Sequence, residues 1–207
     1  MKKYIQLLPV LILTPFLLLT SVRTASQEAL AARISPHILR FHVLAESNSQ
    51  KDQSLKLGVR DVLLNLIQSQ APKDADKPML AHWIMQQEDV LTRAAENWLS
   101  AQGSPASVTL TLSKDYFPAK TYGTAAFPCG VYDAVRVTIG NGKGRNWWCV
   151  LYPSLCLTDS SQGTIPESSR EEMAGYMSPD DYESIFSEPP RVKIRFRLAE
   201  LFRQNRG

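Results

Sequence analysis

Hydrophobic positions in this chain follow two periods, and each change of period marks an element. Leu39, Phe41 and Val43 alternate with Arg40 and His42, so Ile38 to Ala45 reads as a strand. Glu46-Ser47-Asn48-Ser49 breaks the alternation. Ser49 then offers an N-cap oxygen and Asp52 an acid in the first turn of a helix. Leu55, Val59, Val62, Leu63, Leu66 and Ile67 follow at helical spacing, while Asp52, Lys56 and Arg60 stand four apart on the other side. Gly58 costs about 1 kcal/mol relative to Ala inside a helix, which points to close packing there. Ala71 to Asp76 reads as a linker, with Asp76 as the next cap and Pro78 tolerated in the first turn. Leu80, Trp83, Ile84, Val90, Leu91, Ala94 and Trp98 form one further stripe, stopped by Gly103-Ser104-Pro105.

The two-residue period returns at Val108, Leu110 and Leu112. Tyr116 to Gly130 reads as a looping segment rich in aromatics, Pro and Gly. Val135, Val137 and Ile139 alternate with Arg136 and Thr138, and Asn141-Gly142 is a strong signal for a type I′ hairpin turn. The return arm, Trp147 to Tyr152, is too apolar to leave in water, and Pro153 closes it. This hairpin is expected at the centre of the sheet. Thr158 to Ser169 reads as a loop and Arg170 to Phe186 as one or two short helices. Val192 to Leu198 alternates as a strand, and Ala199 to Gln204 turns helical. The fold class expected is α+β: a mixed or antiparallel sheet with a central hairpin, packed against two amphipathic helices and preceded by an apolar N-terminal export helix.

That export helix follows from the first 26 residues. Lys2 and Lys3 precede an uncharged apolar run from Tyr4 to about Val22, the pattern of a signal peptide or membrane anchor. Small residues at Thr24-Ala25-Ser26 and at Ala29-Leu30-Ala31 offer cleavage sites. A cleaved signal is the preferred reading and a retained anchor the alternative. Either brings this segment into contact with the membrane and leaves the body outside the cytoplasm. The domains expected are residues 1–26 as signal or anchor, 27–35 as linker, and 36–207 as one α+β signalling domain.

Charge then removes one class of function. The formal net charge is +3, but Lys2, Lys3 and Arg23 lie in the leader, which carries no acid. Without those three the basic and acidic residues balance, so a nucleic-acid partner is not expected. Export also changes how Cys129, Cys149 and Cys156 read, because disulfides persist outside the cytoplasm. Cys149 and Cys156 flank Pro153 and either pair across a bend or remain two buried thiols. Cys129 reads as a small residue at a turn. His37, His42 and His82 show no metal-binding spacing, so neither a metal nor another cofactor is expected. Gly140 to Gly144 lacks the spacing and trailing Lys-Ser/Thr of a phosphate loop. Asp180-Asp181 reads as a surface cap. His42 with Cys149 or Cys156 would make a secreted Cys/His hydrolase, without a local signature to support it. Trp147 and Trp148 would suit a cell-wall-binding module, although neighbours on a strand face opposite sides.

Three blocks carry a family resemblance. Ile38 to Ser49 with Lys51 to Asp61, Gly144 to Cys156 with Asn146-Trp147-Trp148-Cys149 at its heart, and Val192 to Phe202 are similar, in this order, to stage II sporulation protein R. The resemblance implies a protein made in the forespore of endospore-forming bacteria and exported into the space facing the mother cell. It implies activation there of a membrane-embedded aspartyl protease that processes the sigma-E precursor. It implies no catalytic residues, and so a signal rather than an enzyme. The polar residues of the blocks, Arg40, His42, Asn48, Asp52, Gln53 and Arg60, with Trp147 and Trp148, form the expected partner surface. The competing reading is that they cap and pair with one another to hold the fold.

Overall fold

The computed structural model describes residues 2–156 and 165–186. Side chains of residues 1–13, 16 and 19, within the expected export segment, lie outside that description, as do the strand and helix expected over 192–204.

The first alternating run forms β1 (Leu39–Leu44), which is buried from Leu39 to Val43 whichever way its side chains point. A strand covered on both faces also needs neighbours on both edges, because buried backbone groups must be paired. It has them: the sheet order is β2-β5-β1-β6, with β2 spanning Val108–Phe117, β5 Gly130–Ile139 and β6 Asn146–Tyr152. β1 runs parallel to β5 and antiparallel to β6, while β2 pairs antiparallel along the length of β5. The sheet is therefore mixed.

This arrangement corrects the expected central hairpin. β5 and β6 are not partners, since β1 lies between them. Joining them means crossing two strand spacings, about 10 Å, which a two-residue turn does not span. The linking residues, 140–145, instead pass over the end of β1: the Gly144 amide donates to Ala45 O at 2.8 Å and the Lys143 amide to Glu46 O at 3.2 Å. Nor is the turn type I′, because positive φ occurs at Gly140 and Gly142 and not at Asn141.

One face of the sheet carries α2 (Gln50–Gln70), α3 (Lys77–Gln86) and α4 (Glu88–Ala101). Two helices were expected there. The stripe from Leu80 to Trp98 is broken at Gln87, whose amide bonds back to the carbonyls of Trp83 and Ile84 and ends α3. Phe41, Val43, Val135, Val137 and Leu151 of the sheet pack against Val59, Leu63, Ile84, Leu91 and Leu99 of the helices. The caps are local: Ser49 Oγ accepts from the Asp52 amide at 3.1 Å, and Asp76 Oδ1 from the Met79 amide at 2.9 Å. Gly58 faces the Trp98 ring so closely that a Cβ would collide with it.

The opposite face is covered by elements distant in sequence. The last turns of α1 (Lys2–Ile34) lie on β5, beside a ribbon of β3 (Lys120–Tyr122) and β4 (Ala125–Phe127). That ribbon and the extension of β2 to Phe117 replace the expected loop over residues 116–130. α5 (Glu167–Tyr176) and α6 (Pro179–Phe186) complete the layer, within the region where short helices were expected. Residues 27–34, expected as a linker, are helical, and Ala31 and Ile34 are fully covered. Asp181 is buried and takes a hydrogen bond from Arg33 Nη2 at 2.7 Å, so only Asp180 of that acidic pair is a surface residue. Among the described residues no helix is long and apolar enough to cross a membrane.

Candidate functional site

Residues two apart on a strand share a face, so β1 presents Arg40 and His42 together on the side away from α2 to α4. Register supplies their neighbours. His42 lies between Arg136 of β5 and Trp148 of β6, and Arg40 between Ala134 and Val150. β2 adds Ser113 and Asp115 along the same face.

Asp115 is the hub. His42 Nδ1 lies 3.3 Å from its Oδ2, Ser113 Oγ donates to it at 3.0 Å, and Arg136 Nε donates at 3.0 Å. Arg136 Nη2 donates to the other carboxylate oxygen. Burial opposes ionisation of Asp115, but the bonds from Arg136, Ser113 and His42 outweigh it and hold the carboxyl below its usual range. Asp115 thus fixes the orientation of the His42 ring. The free nitrogen, Nε2, is buried without a partner, and the rings of Phe117 and Trp148 stand about the imidazole.

Arg40 is fully buried, and among the described residues no carboxylate pairs with it. Its guanidinium sits among four rings: Phe117 at 4.5 Å, Tyr132 at 5.2 Å, Phe127 at 5.6 Å and Tyr122 at 5.7 Å. Nη2 donates to Tyr122 Oη at 3.3 Å, while Nε and Nη1 have no partner. Burial pushes the guanidinium down from its ordinary value and Tyr122 up. The ring faces replace part of the lost hydration through cation–π attraction. Tyr122 and Phe127 belong to the β3–β4 ribbon, which forms a sheet of its own. Tyr122 Oη fastens it to the centre by donating to Trp148 O at 3.1 Å.

A second polar cluster lies at the start of α2. Ser47 Oγ donates to Asp52, and Gln53 Nε2 donates to Ser47 O at 2.8 Å. Asn48 Oδ1 accepts from the Arg145 amide at 2.9 Å, and Lys56 Nζ donates to Arg145 O at 3.0 Å. Glu46 takes the Asn141 amide at 2.7 Å. These bonds tie the 140–145 crossing to the helix start. Hydrogen bonds from Ser47 and Ser49 lower the Asp52 carboxyl, and burial lowers the Lys56 ammonium.

The eight residues expected as one surface therefore divide among three places. Arg40, His42 and Trp148 lie on the ribbon side of the sheet. Asn48, Asp52 and Gln53 belong to the helix-start cluster. Arg60 stacks on Trp147 at 4.9 Å, on the helix side, and Trp147 meets Phe41 edge-on. Most of these side chains are bonded to the protein itself. Cys149 points away from His42, because His42 is registered with Trp148. Cys149 and Cys156 are joined by a disulfide with Cα atoms 5.5 Å apart. Neither sulfur is thus a free thiol placed to act with His42, which corrects the Cys/His hydrolase reading. Among the described residues no group of three or more His, Cys, Asp or Glu side chains is placed to hold a metal ion.

Sequence reasoning missed Ser113, Asp115 and Arg136. The signal was Phe117, which shares the phase of Ser113 and Asp115 and marks that face as covered. It also missed an open groove of about 640 Å³ beside α3, whose lining includes Lys77, His82, Leu112, Lys114, Val131 and Asp133.

A family model described as stage II sporulation protein R matches residues 35–162, which include β1, the helix-start cluster, the 140–145 crossing and the cysteine pair. Stage II sporulation protein R of Bacillus subtilis (strain 168) is 30% identical over 161 residues, 77% of this chain and 72% of the relative. No solved structure matches this chain with significance. The chain belongs to the stage II sporulation protein R family.

Proposed function

We propose that this chain is an exported sporulation signal that activates a membrane-embedded aspartyl protease in the opposing membrane, leading to processing of the sigma-E precursor. The observation that carries the reading is family membership across residues 35–162. The forespore makes the chain, the N-terminal segment directs it across the bilayer, and the body meets its partner on the extracytoplasmic side.

The geometry supports a protein that is recognised rather than one that turns over a substrate. Asn48, Asp52 and Gln53 hold a loop in place, and the His42–Asp115 pair is closed over by aromatic rings. Trp147 and Trp148 occupy opposite faces of β6, which weighs against a shared platform for cell-wall sugars. Activation needs only differential affinity: a body that binds the active state of the protease, for example its dimer, more tightly than the inactive state shifts the population.

Co-expression of the full chain, the protease and the sigma-E precursor in a non-sporulating host tests this. Processing well above the protease-only control is expected. Equal processing with and without the chain contradicts the proposal.

A further inference from the structure

Two sets of small residues offer themselves for cleavage, Thr24-Ala25-Ser26 and Ala29-Leu30-Ala31, and the fold treats them differently. Residues 20–29 are exposed, and the hydroxyls of Thr20, Ser21 and Thr24 turn back to carbonyls of their own helix. Among the described side chains of this helix, hydrogen bonds to the body start at Gln27. Cys129 Sγ donates to Gln27 Oε1 at 3.1 Å, and Tyr116 Oη donates to Glu28 Oε1 at 3.1 Å. Ala31 is fully buried with its Cβ against Gly130, where a second Cβ would collide. Arg33 reaches Asp181 of α6, and Ile34 lies in the apolar core of this face. Hydrogen bonding to the body thus starts just past the first small triplet, and burial follows at Leu30 and Ala31, within the second.

We infer that maturation hydrolyses the Ser26–Gln27 peptide bond, and that residues 27–34 stay with the body as its first helix. The inference rests on the export reading proposed above. An export peptidase acts on an extended chain with small residues beside the scissile bond. Water supplies the hydroxyl that completes the Ser26 carboxyl group and the hydrogen that completes the Gln27 amine. Cleavage at this bond spares every contact to the body named above. Cleavage after Ala31 would remove Gln27, Glu28 and Ala31, leaving Cys129 and Tyr116 without these partners and a gap over Gly130. The new amine would start a helix, where positive charge is unfavourable, but Glu28 in the first turn offsets it.

The full chain, expressed in an exporting Gram-positive host, gives the test. Intact mass of the exported product is expected to place its first residue at Gln27, as the free amine or after cyclisation with loss of ammonia. Ser26→Leu is expected to abolish that product and leave the uncleaved chain at the membrane, whereas Ala29→Leu is expected to leave the mass change unaltered. A product beginning at Ala32, or an uncleaved wild-type chain whose body is digested by protease added outside the cell, overturns the inference while leaving export intact. A body protected from that protease in intact cells overturns the export reading, and this inference with it.

Discussion

On one face of the sheet Leu39, Phe41 and Val43 meet three consecutive helices; on the other Arg40 and His42 meet a ribbon, the end of the first helix and two helices from residues 167–186. The first face is a standard amphipathic layer in which apolar area leaves water. The second holds ionisable groups under aromatic cover, and its parts come from both sides of the sheet in sequence. Its geometry depends on specific bonds such as Tyr122 to Trp148 and Arg33 to Asp181. The helix face is held by apolar burial, while the ribbon face combines apolar cover with the placement of charged groups.

Substitutions on each face sharpen the contrast. The largest effect is expected from Phe41→Ala, which opens a cavity under α2 to α4 and costs about 3–5 kcal/mol of unfolding free energy. A denaturant midpoint unchanged within error would show that the helix face is not the main core. Next comes Asp115→Ala. It leaves His42 buried and Arg136 without its carboxylate, at about 2 kcal/mol, a low figure because Arg136 is 40% exposed and water screens it.

The same carboxylate gives a pH signature. Its native pKa is depressed, so its contribution is complete above the unfolded value, about 3.9, and is lost as pH falls through the lower native value. The stability gap between wild type and Asp115→Asn is therefore expected to be widest above about pH 5 and to narrow in acid. A gap that widens in acid would reverse the assigned role.

Gly58→Ala is expected to cost about 1–2 kcal/mol net, since moving the Trp98 ring outweighs the gain in helix propensity of about 1 kcal/mol. Near-UV circular dichroism should report the displaced indole. The smallest effect is expected from Arg40→Met. Replacing a buried cation that has no carboxylate partner among the described residues by an apolar side chain of similar length is expected to be near neutral or stabilising, because the cost of desolvating the charge is removed. A loss above about 3 kcal/mol in thermal unfolding would mean that the aromatic cage holds Arg40 far more strongly than cation–π contacts of about 2 kcal/mol allow.

The helix face was legible in the sequence because its rules are local. Ser49 and Asp76 cap as their spacing predicts, and the glycine at 58 accommodates Trp98. The break at Gln87 was not legible, since the stripe from Leu80 to Trp98 reads as continuous helix. Strand order was misread for a different reason. Asn141-Gly142 between two apolar runs signals a hairpin from a few residues, whereas inserting β1 between its arms is a pairing across about a hundred positions. Of the candidate site, Arg40 and His42 were visible as residues but not as buried ones. A two-residue alternation marks a polar phase without stating what covers it, and their cover comes from Phe117, Tyr122, Phe127 and Trp148. The two family blocks within the matched residues fall on β1 with the start of α2 and on β6 with the cysteine pair, yet their polar residues are divided among three places.

As the exported signal proposed above, the body is expected to act from the far side of a membrane. Purified body, residues 27–207, can be added to the outside of spheroplasts that contain the protease and the sigma-E precursor. The account predicts processing that rises with added protein and is absent when the protease is omitted. Processing obtained only when the body is made inside the same cytoplasm as the precursor, and none from outside, would contradict it.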